Sequence, residues 1–345
     1  MDYFEETLGK LPGRQDEHEW LRETLAFASE REKAILAAGL ERTPPKNAAE
    51  AVNLMLNLES YEVCVGANYY EALGQYFLDY EVGSLIPTEA RQYIDLESLG
   101  RKYEDNHPGL FIGSDYVVYP ADQTTAFYDG RELPSVGGDW SLRLKLASPT
   151  HPEGVWVKLP DYQEMTEERP GEIRMALNAL GLKDLEWCEL LDARCCLPGI
   201  AGLTEYEDLS DLIYDGQNLG IILDEQGQGQ EHFMEKYLAA LELEGCDSLK
   251  FALDIGQNIK CYDMVLVSGL EQTGKDAILK RMGAEEREMF SGCVDFAGYA
   301  RAMLEQSDSV PVLDGKAYIR RNGQTFHAEY SETTGSAQDR GMQMM

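Results

Sequence analysis

The stretch that comes nearest to a catalytic motif runs from Gly269 to Asp276 and reads GLEQTGKD. It almost matches the phosphate-binding pattern GxxxxGK[ST], in which backbone amides and a lysine hold the phosphates and a hydroxyl holds magnesium. Asp276 stands where that hydroxyl is needed, and Glu271 would face the phosphates. Because like charges repel, the sequence predicts a turn that starts a helix rather than a nucleotide site.

Other residues that could do chemistry lack the spacing it requires. The five histidines are scattered, and none pairs with a carboxylate or a cysteine at a separation typical of metal ligands. No GxSxG or comparable turn presents a nucleophilic serine. Adjacent acids such as Glu207 and Asp208 could serve in acid-base chemistry, but neighbouring side chains diverge on a helix. We therefore predict a protein that is not an enzyme and that uses no cofactor and no metal.

Carboxylates are what the chain has in excess. It contains 62 acidic residues against 30 basic ones, for a formal net charge of −32. This charge excludes ordinary nucleic-acid binding, which needs Lys and Arg to neutralise phosphates. It also disfavours an anionic membrane surface, and no eighteen apolar residues run together. With seven cysteines, an odd number, and no signal-peptide pattern at the start, we expect a cytoplasmic protein.

Two stretches of the chain contain acids but no base. The first lies between Lys46 and Arg91, and the second between Arg194 and Lys236. Uncompensated acids repel one another, so a chain usually carries them for solubility or for a partner, and composition alone favours solubility. Tyrosines are mixed with these acids, as in Asp79-Tyr80-Glu81, and we predict that most of them are half buried.

One segment returns almost two hundred residues later. IPTEARQYIDLESLGRKY, at residues 86–103, is echoed by GAEEREMFSGCVDFAGYARAM, at residues 283–303. Asp95 then aligns with Asp295, and further upstream Gly74 aligns with Gly274. A repeat of this length predicts one structural unit used twice.

The elements around these residues predict class α+β, as an elongated array of small α/β and helical domains with a partial internal duplication. We predict a helical domain at 1–58, an α/β domain at 59–120, a linker at 121–141, an α/β domain at 142–213, a helical domain at 214–257, a second copy of the earlier α/β domain at 258–330 and a disordered tail at 331–345.

Three local predictions concern single elements. Helical spacing over 16–40 is broken by Gly39. Two later helices are expected at Leu209–Asp215 and Glu231–Glu244, and a final hairpin is expected to pair Ala317–Arg320 with Thr325–Tyr330.

Residues 86–119, IPTEARQYIDLESLGRKYEDNHPGLFIGSDYVVY, resemble the C-terminal part of ArdA-type antirestriction proteins. That family has a Y-I-D-(aromatic or Leu)-x-x-(aromatic)-G-R core followed by a closing strand pair. LRLKLASPTHPEGVWVKLPDY resembles the family's opening strand-turn-strand, and CELLDARCCLPGIAGLTEYEDLSDLI resembles the passage that ends its first domain. Residues 142–330 therefore look like a complete copy and 16–120 like a copy without its first domain. Gly100-Arg101 of the core has drifted to Ala300-Arg301 in the second copy.

The resemblance implies a protein of mobile elements that mimics bent duplex DNA and occupies the DNA-binding groove of type I restriction-modification enzymes. It also implies either a homodimer or an internal pairing of residues 59–120 with 259–330. Duplex DNA carries one charge per ~1.7 Å, so a charge of −32 matches roughly sixteen base pairs in count. Two alternatives stay open: an inhibitor of another DNA-handling defence complex, such as a CRISPR effector, and an acidic scaffold or chaperone for basic proteins.

On this reading, the candidate partner-binding residues are the acids of the two base-free stretches and those near the repeated core. They are Glu59, Glu62, Glu71, Asp79, Glu81, Glu89, Asp95, Glu97, Glu205, Glu207, Asp208, Asp211, Asp215, Asp224, Glu225 and Asp295.

Overall fold

The computed structural model describes residues 3–121, 125–131, 133, 140–165, 169–227, 230–280 and 294–331. The chain divides into two compact units. The first comprises Met1–Cys196 with Glu207–Ile213, and the second comprises Leu197–Tyr206 with Tyr214–Met345. Helices and three antiparallel sheets of three strands each make up the described residues, which confirms the α+β class.

The first unit begins with four helices, which are α1 (Tyr3–Leu8), α2 (Gln15–Ala26), α3 (Glu30–Arg42) and α4 (Ala48–Leu56). The predicted break at Gly39 was wrong. The chain breaks instead before α3, where the Ser29 hydroxyl oxygen accepts a hydrogen bond from the backbone N–H of Glu32 at 3.1 Å, as an N-cap does. Gly39 lies inside α3. The side chain of Leu54 packs at the place that a Cβ on this residue would occupy.

A three-stranded sheet with two crossing helices follows. Its elements are β1 (Glu62–Cys64), α5 (Tyr70–Tyr80), α6 (Thr88–Arg91), α7 (Leu96–Asn106), β2 (Gly109–Ile112) and β3 (Asp115–Val118). The strand order is β1-β3-β2, with Val117 opposite both Val63 and Leu110. The buried residues Leu73, Tyr76, Tyr103 and Tyr116 pack together between the helices and the sheet.

The first unit also contains a second sheet, with order β5-β4-β6, built from β4 (Leu142–Ser148), β5 (His151–Lys158) and β6 (Glu189–Cys195). The predicted strand-turn-strand is present, and its turn consists of Pro149 and Thr150. Two helices lie between β5 and β6, α8 (Tyr162–Met165) and α9 (Glu172–Ala179). Gly181, with φ of 67°, follows the end of α9.

The helices from residue 209 to 257 are α10 (Leu209–Gly227), α11 (Phe233–Glu244) and α12 (Leu249–Gln257). The prediction of a helix ending at Asp215 was too short. Leu219 and Ile222 continue the buried face of α10 beyond that residue, so the apolar period does not stop there.

The second unit closes with a third sheet and two more helices. They are β7 (Tyr262–Leu266), α13 (Leu270–Leu279), α14 (Phe296–Gln306), β8 (Val310–Val312) and β9 (Ala317–Arg321). The predicted final hairpin was wrong: β9 pairs with β8 and β7 in the order β7-β9-β8, and 325–330 form no strand. Backbone groups of this last stretch bond instead to Asn258 and Asp254 of the α12 region.

The first and third sheets have the same strand order relative to their helices. Two asparagines also make matching bonds. Asn57 exchanges two hydrogen bonds with the backbone of Thr125, at 2.8 and 3.0 Å, and Asn258 exchanges two with the backbone of His327, also at 2.8 and 3.0 Å. These likenesses agree with one unit used twice, while the duplication itself stays a prediction. Residues 283–293 of the echoed segment lie outside the described residues.

The predicted domain boundaries also stay predictions. Tyr128, inside the predicted linker 121–141, is buried and donates a hydrogen bond from its hydroxyl to Glu17 at 2.9 Å. Of the predicted tail 331–345, only Ser331 is described, and its hydroxyl donates to the Asp254 carboxylate at 2.5 Å.

Candidate partner-binding surface

The candidate carboxylates fall into those that are exposed and one that is not. Every candidate except Asp215 is exposed, and together these residues are Glu59, Glu62, Glu71, Asp79, Glu81, Glu89, Asp95, Glu97, Glu205, Glu207, Asp208, Asp211, Asp224, Glu225 and Asp295. An exposed carboxylate can keep its charge and meet a basic partner.

Asp215 is the correction to this set. It lies within α10 with 4% of its surface exposed and accepts a hydrogen bond from the hydroxyl of Tyr206 at 2.8 Å. A carboxylate held in this way holds structure together and presents little charge to a partner. Asp215 follows Leu212 by three residues and precedes Leu219 by four, which is the spacing of one helical face, but the predicted helix ended at Asp215 and so did not reveal this pattern.

Several acids of the first base-free stretch are neutralised by bases from distant parts of the chain. Lys158 on β5 lies 2.6 Å from the carboxylate of Glu59. Arg169 lies 3.8 Å from Glu62 and 2.5 Å from Glu81. The absence of bases along the sequence therefore does not mean the absence of bases in space. The candidates remain exposed, but these three carry partly compensated charge.

Other acids of this stretch have no such partner. Glu71 on α5 and Glu89 on α6 make no ion pair with any described residue. Asp79 is intermediate, since Arg91 lies 3.4 Å from one of its oxygens and the Gln75 amide donates to the other at 2.7 Å. Among the candidate residues of the stretch, the uncompensated charge is thus greatest at Glu71 and Glu89.

Asp95 and Asp295 have a structural role that explains their alignment in the repeat. Asp95 caps α7 by accepting a hydrogen bond from the backbone N–H of Ser98 at 3.1 Å, and Asp295 caps α14 by accepting one from Gly298 at 2.8 Å. Bonds from the hydroxyl and the backbone of Ser98 lower the pKa of Asp95, so its carboxylate stays ionised. Glu97, in the first turn of α7, pairs with Arg101 at 2.8 Å.

The second base-free stretch presents its acids differently. Asp211, Asp224 and Glu225 are exposed residues of α10, the helix that buries Leu212 and Leu219. Glu205, Glu207 and Asp208 precede that helix, and Asp208 accepts the backbone N–H of Ser210 at 2.7 Å. Within the described ranges, no ion pair involves Glu205, Glu207, Asp208, Asp211 or Glu225.

The phosphate-loop look-alike is a helix start, as predicted. A single 3-10 turn, Val267–Gly269, precedes α13, so the residues that would wrap a phosphate are helical from Leu270. Lys275 lies 2.5 Å from Glu271, one turn earlier on the same helix. Among the residues that the structure describes, no three His, Cys, Asp or Glu side chains gather as metal ligands would. No helix in the same residues is long and apolar enough to cross a membrane.

Sequence reasoning missed the exposed tyrosines. Tyr76 is buried, but Tyr69 is 55% exposed, Tyr80 is 42% exposed and Tyr93 is 83% exposed. Tyr69 and Tyr80 line an open groove of about 380 Å³ along α5, together with Glu71, Gln75, Asp79 and Leu96. The signal was present in the mixing of tyrosine with acids, but the helical phase of each ring decides whether it is buried.

Comparison with known proteins finds no family model, no curated protein and no solved structure that matches the chain.

Proposed function

We propose that the protein is an antirestriction protein that mimics bent duplex DNA and competitively occupies the DNA-binding groove of type I restriction-modification enzymes. The observation that carries the proposal is the exposure of the candidate carboxylates other than Asp215 on a chain with net charge −32. The ordered resemblance of residues 142–330 and 16–120 to ArdA-type proteins adds the kind of target.

The mechanism is competition without chemistry. A type I enzyme binds DNA in a channel whose Lys and Arg side chains neutralise phosphates. Carboxylates at the positions of the phosphates attract the same basic side chains. Occupation of the channel excludes the duplex sterically. Because the attraction is between charges of opposite sign, binding weakens as salt screens them.

The paired and unpaired acids differ in what they contribute. Glu71 and Glu89 in the first stretch, and Glu207 and Asp211 in the second, have no ion pair in the described chain and offer a full charge. Glu59, Glu62 and Glu81 must first lose, or share, a cation of the protein itself. We expect the first group to dominate the affinity.

The site of action is the cytoplasm, and the inhibitor acts either as a homodimer or through the pairing of its own two related segments, 59–120 and 259–330. Small-angle scattering with light scattering separates these forms, since a homodimer has twice the mass of the chain.

The test is displacement of a labelled duplex from a purified type I methyltransferase by the full-length protein. We expect displacement with a steep loss of potency as salt increases. No displacement at any salt concentration would contradict the choice of target. Parallel challenge of a CRISPR effector and of histone-like proteins decides the alternatives: inhibition of the effector alone favours another defence complex, and binding to basic proteins in general favours a scaffold or chaperone.

A matched pair of variants tests whether the position of the carboxylates matters or only the net charge of the protein. The test variant, Glu205→Gln/Glu207→Gln/Asp208→Asn/Asp211→Asn, removes acids of the second stretch. The control variant removes the same number of exposed acids elsewhere and is Glu19→Gln/Glu23→Gln/Glu153→Gln/Glu186→Gln. We expect the test variant to lose far more potency than the control. Equal losses would mean that only net charge matters, as for a chaperone of basic proteins.

A further inference from the structure

The groove on α5 combines ring faces with carboxylates. Tyr69 and Glu71 lie at one end, and Asp79 and Tyr80 at the other. The groove is open along its length, with a volume of about 380 Å³. A helix rises 1.5 Å per residue, so the two acidic ends are separated by about 12 Å. An occupant must therefore be a segment of chain rather than a single side chain.

The groove's chemistry selects for arginine. A guanidinium binds flat on a tyrosine ring while its N–H groups point outward to carboxylates, whereas an ammonium stacks less well and has no planar fork. The ring of Tyr80 packs against the ring of Tyr76, with centroids 4.9 Å apart. Tyr76 is buried, so Tyr80 is held against the helix by packing.

The carboxylates at the two ends are available to different degrees. Glu71 has no ion pair within the described residues. Asp79 has Arg91 at 3.4 Å, but that arginine also donates to the backbone oxygen of Gly83 at 2.9 Å. Arg91 is thus tied to the chain beyond α5. Asp79 also accepts a hydrogen bond from the Gln75 amide at 2.7 Å and keeps room for a third donor, because each carboxylate oxygen has two lone pairs.

The related helix of the second unit lacks this chemistry. In the alignment that pairs Gly74 with Gly274, Tyr69 becomes Gly269, Gln75 becomes Lys275 and Tyr80 becomes Lys280. Lys275 also neutralises Glu271 at 2.5 Å. The two helices can therefore be compared within one chain. α5 has exposed tyrosine rings and Glu71 without an ion pair, whereas α13 has Lys275 in the place of Gln75 and ends before Lys280, which stands in the place of Tyr80.

We propose that the α5 groove, which is lined by Tyr69, Glu71, Gln75, Asp79, Tyr80 and Leu96, binds an arginine-bearing segment of a basic protein partner. One arginine stacks on Tyr80 beside Asp79, and a second lies against Tyr69 and Glu71. If the segment is extended, the two arginines are about four residues apart, because a strand rises about 3.3 Å per residue. The inference rests on the proposed function and deepens it, by stating which side chains of the target are recognised there.

The test is calorimetric titration of the full-length protein with two peptides. One carries two arginines at the spacing given above in a Gly/Ser background, and the other carries lysines at the same positions. We expect the arginine peptide to bind about ten-fold more tightly, since two stacked cations each contribute a few-fold. Equal affinities would overturn the proposal, because simple charge attraction does not distinguish the peptides.

Variants assign the preference to the groove. Tyr69→Leu/Tyr80→Leu keeps the charge and is expected to remove the arginine preference, whereas Tyr69→Phe/Tyr80→Phe keeps the rings and should retain it. Glu71→Gln is expected to weaken binding of the arginine peptide. Glu271→Gln, on the helix of the second unit, is its matched control and should leave that binding unchanged. Retention of the preference in the leucine variant, shown to be folded by circular dichroism, would overturn the proposal. Since duplex displacement is measured separately, its failure with the preference intact would refute the restriction target alone.

Discussion

Gly74 of α5 and Gly100 of α7 lie face to face where the two helices cross, and each stands against the backbone of the other helix. A Cβ on Gly74 would overlap the carbonyl oxygen of Leu96, and one on Gly100 would overlap that of Tyr70. Glycine is thus required for the distance between the helices. The second unit keeps Gly274, whose Cβ would overlap the carbonyl oxygen of Phe296, and has the buried Ala300 at the position that aligns with Gly100.

Gly74→Ala is therefore expected to destabilise the protein strongly. The added methyl meets backbone, which cannot move aside as a flexible side chain can, so we expect a loss of about 3 kcal/mol or more in the free energy of unfolding. Urea denaturation followed by circular dichroism measures it. Gly269→Ala is the control, since nothing lies within 4 Å of that position. If Gly74→Ala lowers the free energy of unfolding no more than the control does, the distance between α5 and α7 can increase to admit the methyl group, and the prediction is wrong.

The alignment of the repeat identified Gly74 and Gly274, and Asp95 and Asp295, from the sequence, and the pattern of elements predicted the α+β class. These features were predictable because they depend on residues near in sequence or on a pattern used twice. The pairing of Lys158 with Glu59 was not, because ninety-nine positions separate them and only the packing of the second sheet brings them together. The same holds for Arg169 with Glu62 and Glu81.

The last strand shows the opposite failure. Asn322-Gly323 is a strong local signal for a hairpin, and it predicted a strand at Thr325–Tyr330. The edge of β9 that such a strand would occupy is taken by β7, more than fifty residues earlier in the chain. Tertiary pairing overrode the turn signal, and the chain after the turn bonds to Asn258 and Asp254 instead.

The ion pair between Lys158 and Glu59 gives a prediction for the candidate surface. We expect Glu59→Gln to weaken displacement of duplex less than Glu71→Gln, although each removes one charge, because the charge of Glu59 is already compensated at 2.6 Å. Glu59 is exposed, so its loss should lower stability by only about 0.5–1 kcal/mol. Competition assays on both variants at one salt concentration measure the difference. A larger effect at Glu59 would mean that the partner replaces Lys158.

Glu172 makes the stability of the first unit depend on pH. Its side chain is buried, one oxygen has no hydrogen-bond partner in the described residues, and burial followed by the nearby charge of Glu32 raises its pKa from 4.5 to about 8. The folded state therefore holds a proton that the unfolded state releases. The contribution of Glu172 to the free energy of unfolding is fully present below pH 4.5, falls as pH rises above that value and is lost by about pH 8.

Glu172→Gln should remove this dependence. We expect the variant to be more stable than the natural protein near pH 8, by on the order of 2–4 kcal/mol, with little difference near pH 5. Urea denaturation across that range measures both proteins, and Glu186→Gln, an exposed glutamate of the same unit, is the control. Parallel pH profiles for Glu172→Gln and the natural protein would show that Glu172 is ionised in the folded state.

Asp95 separates the structural role of a carboxylate from a role in binding. Its cap needs an oxygen acceptor, which asparagine also provides, whereas mimicry of a phosphate needs the charge. We expect Asp95→Ala to lower stability by about 1 kcal/mol and Asp95→Asn to lower it by less than about 0.5 kcal/mol.

Duplex displacement then tests the charge alone. If Asp95 meets the target, Asp95→Asn loses potency while its melting temperature is nearly unchanged, and Asp295→Asn serves as the matched variant at the cap of α14. Full potency in Asp95→Asn would reduce this residue to a helix cap and restrict the mimic to the acids without a structural role. The repeat of the aspartate in both units would then follow from the need to start a helix, because the hydrogen bonds to Ser98 and Gly298 are the feature that the two positions share.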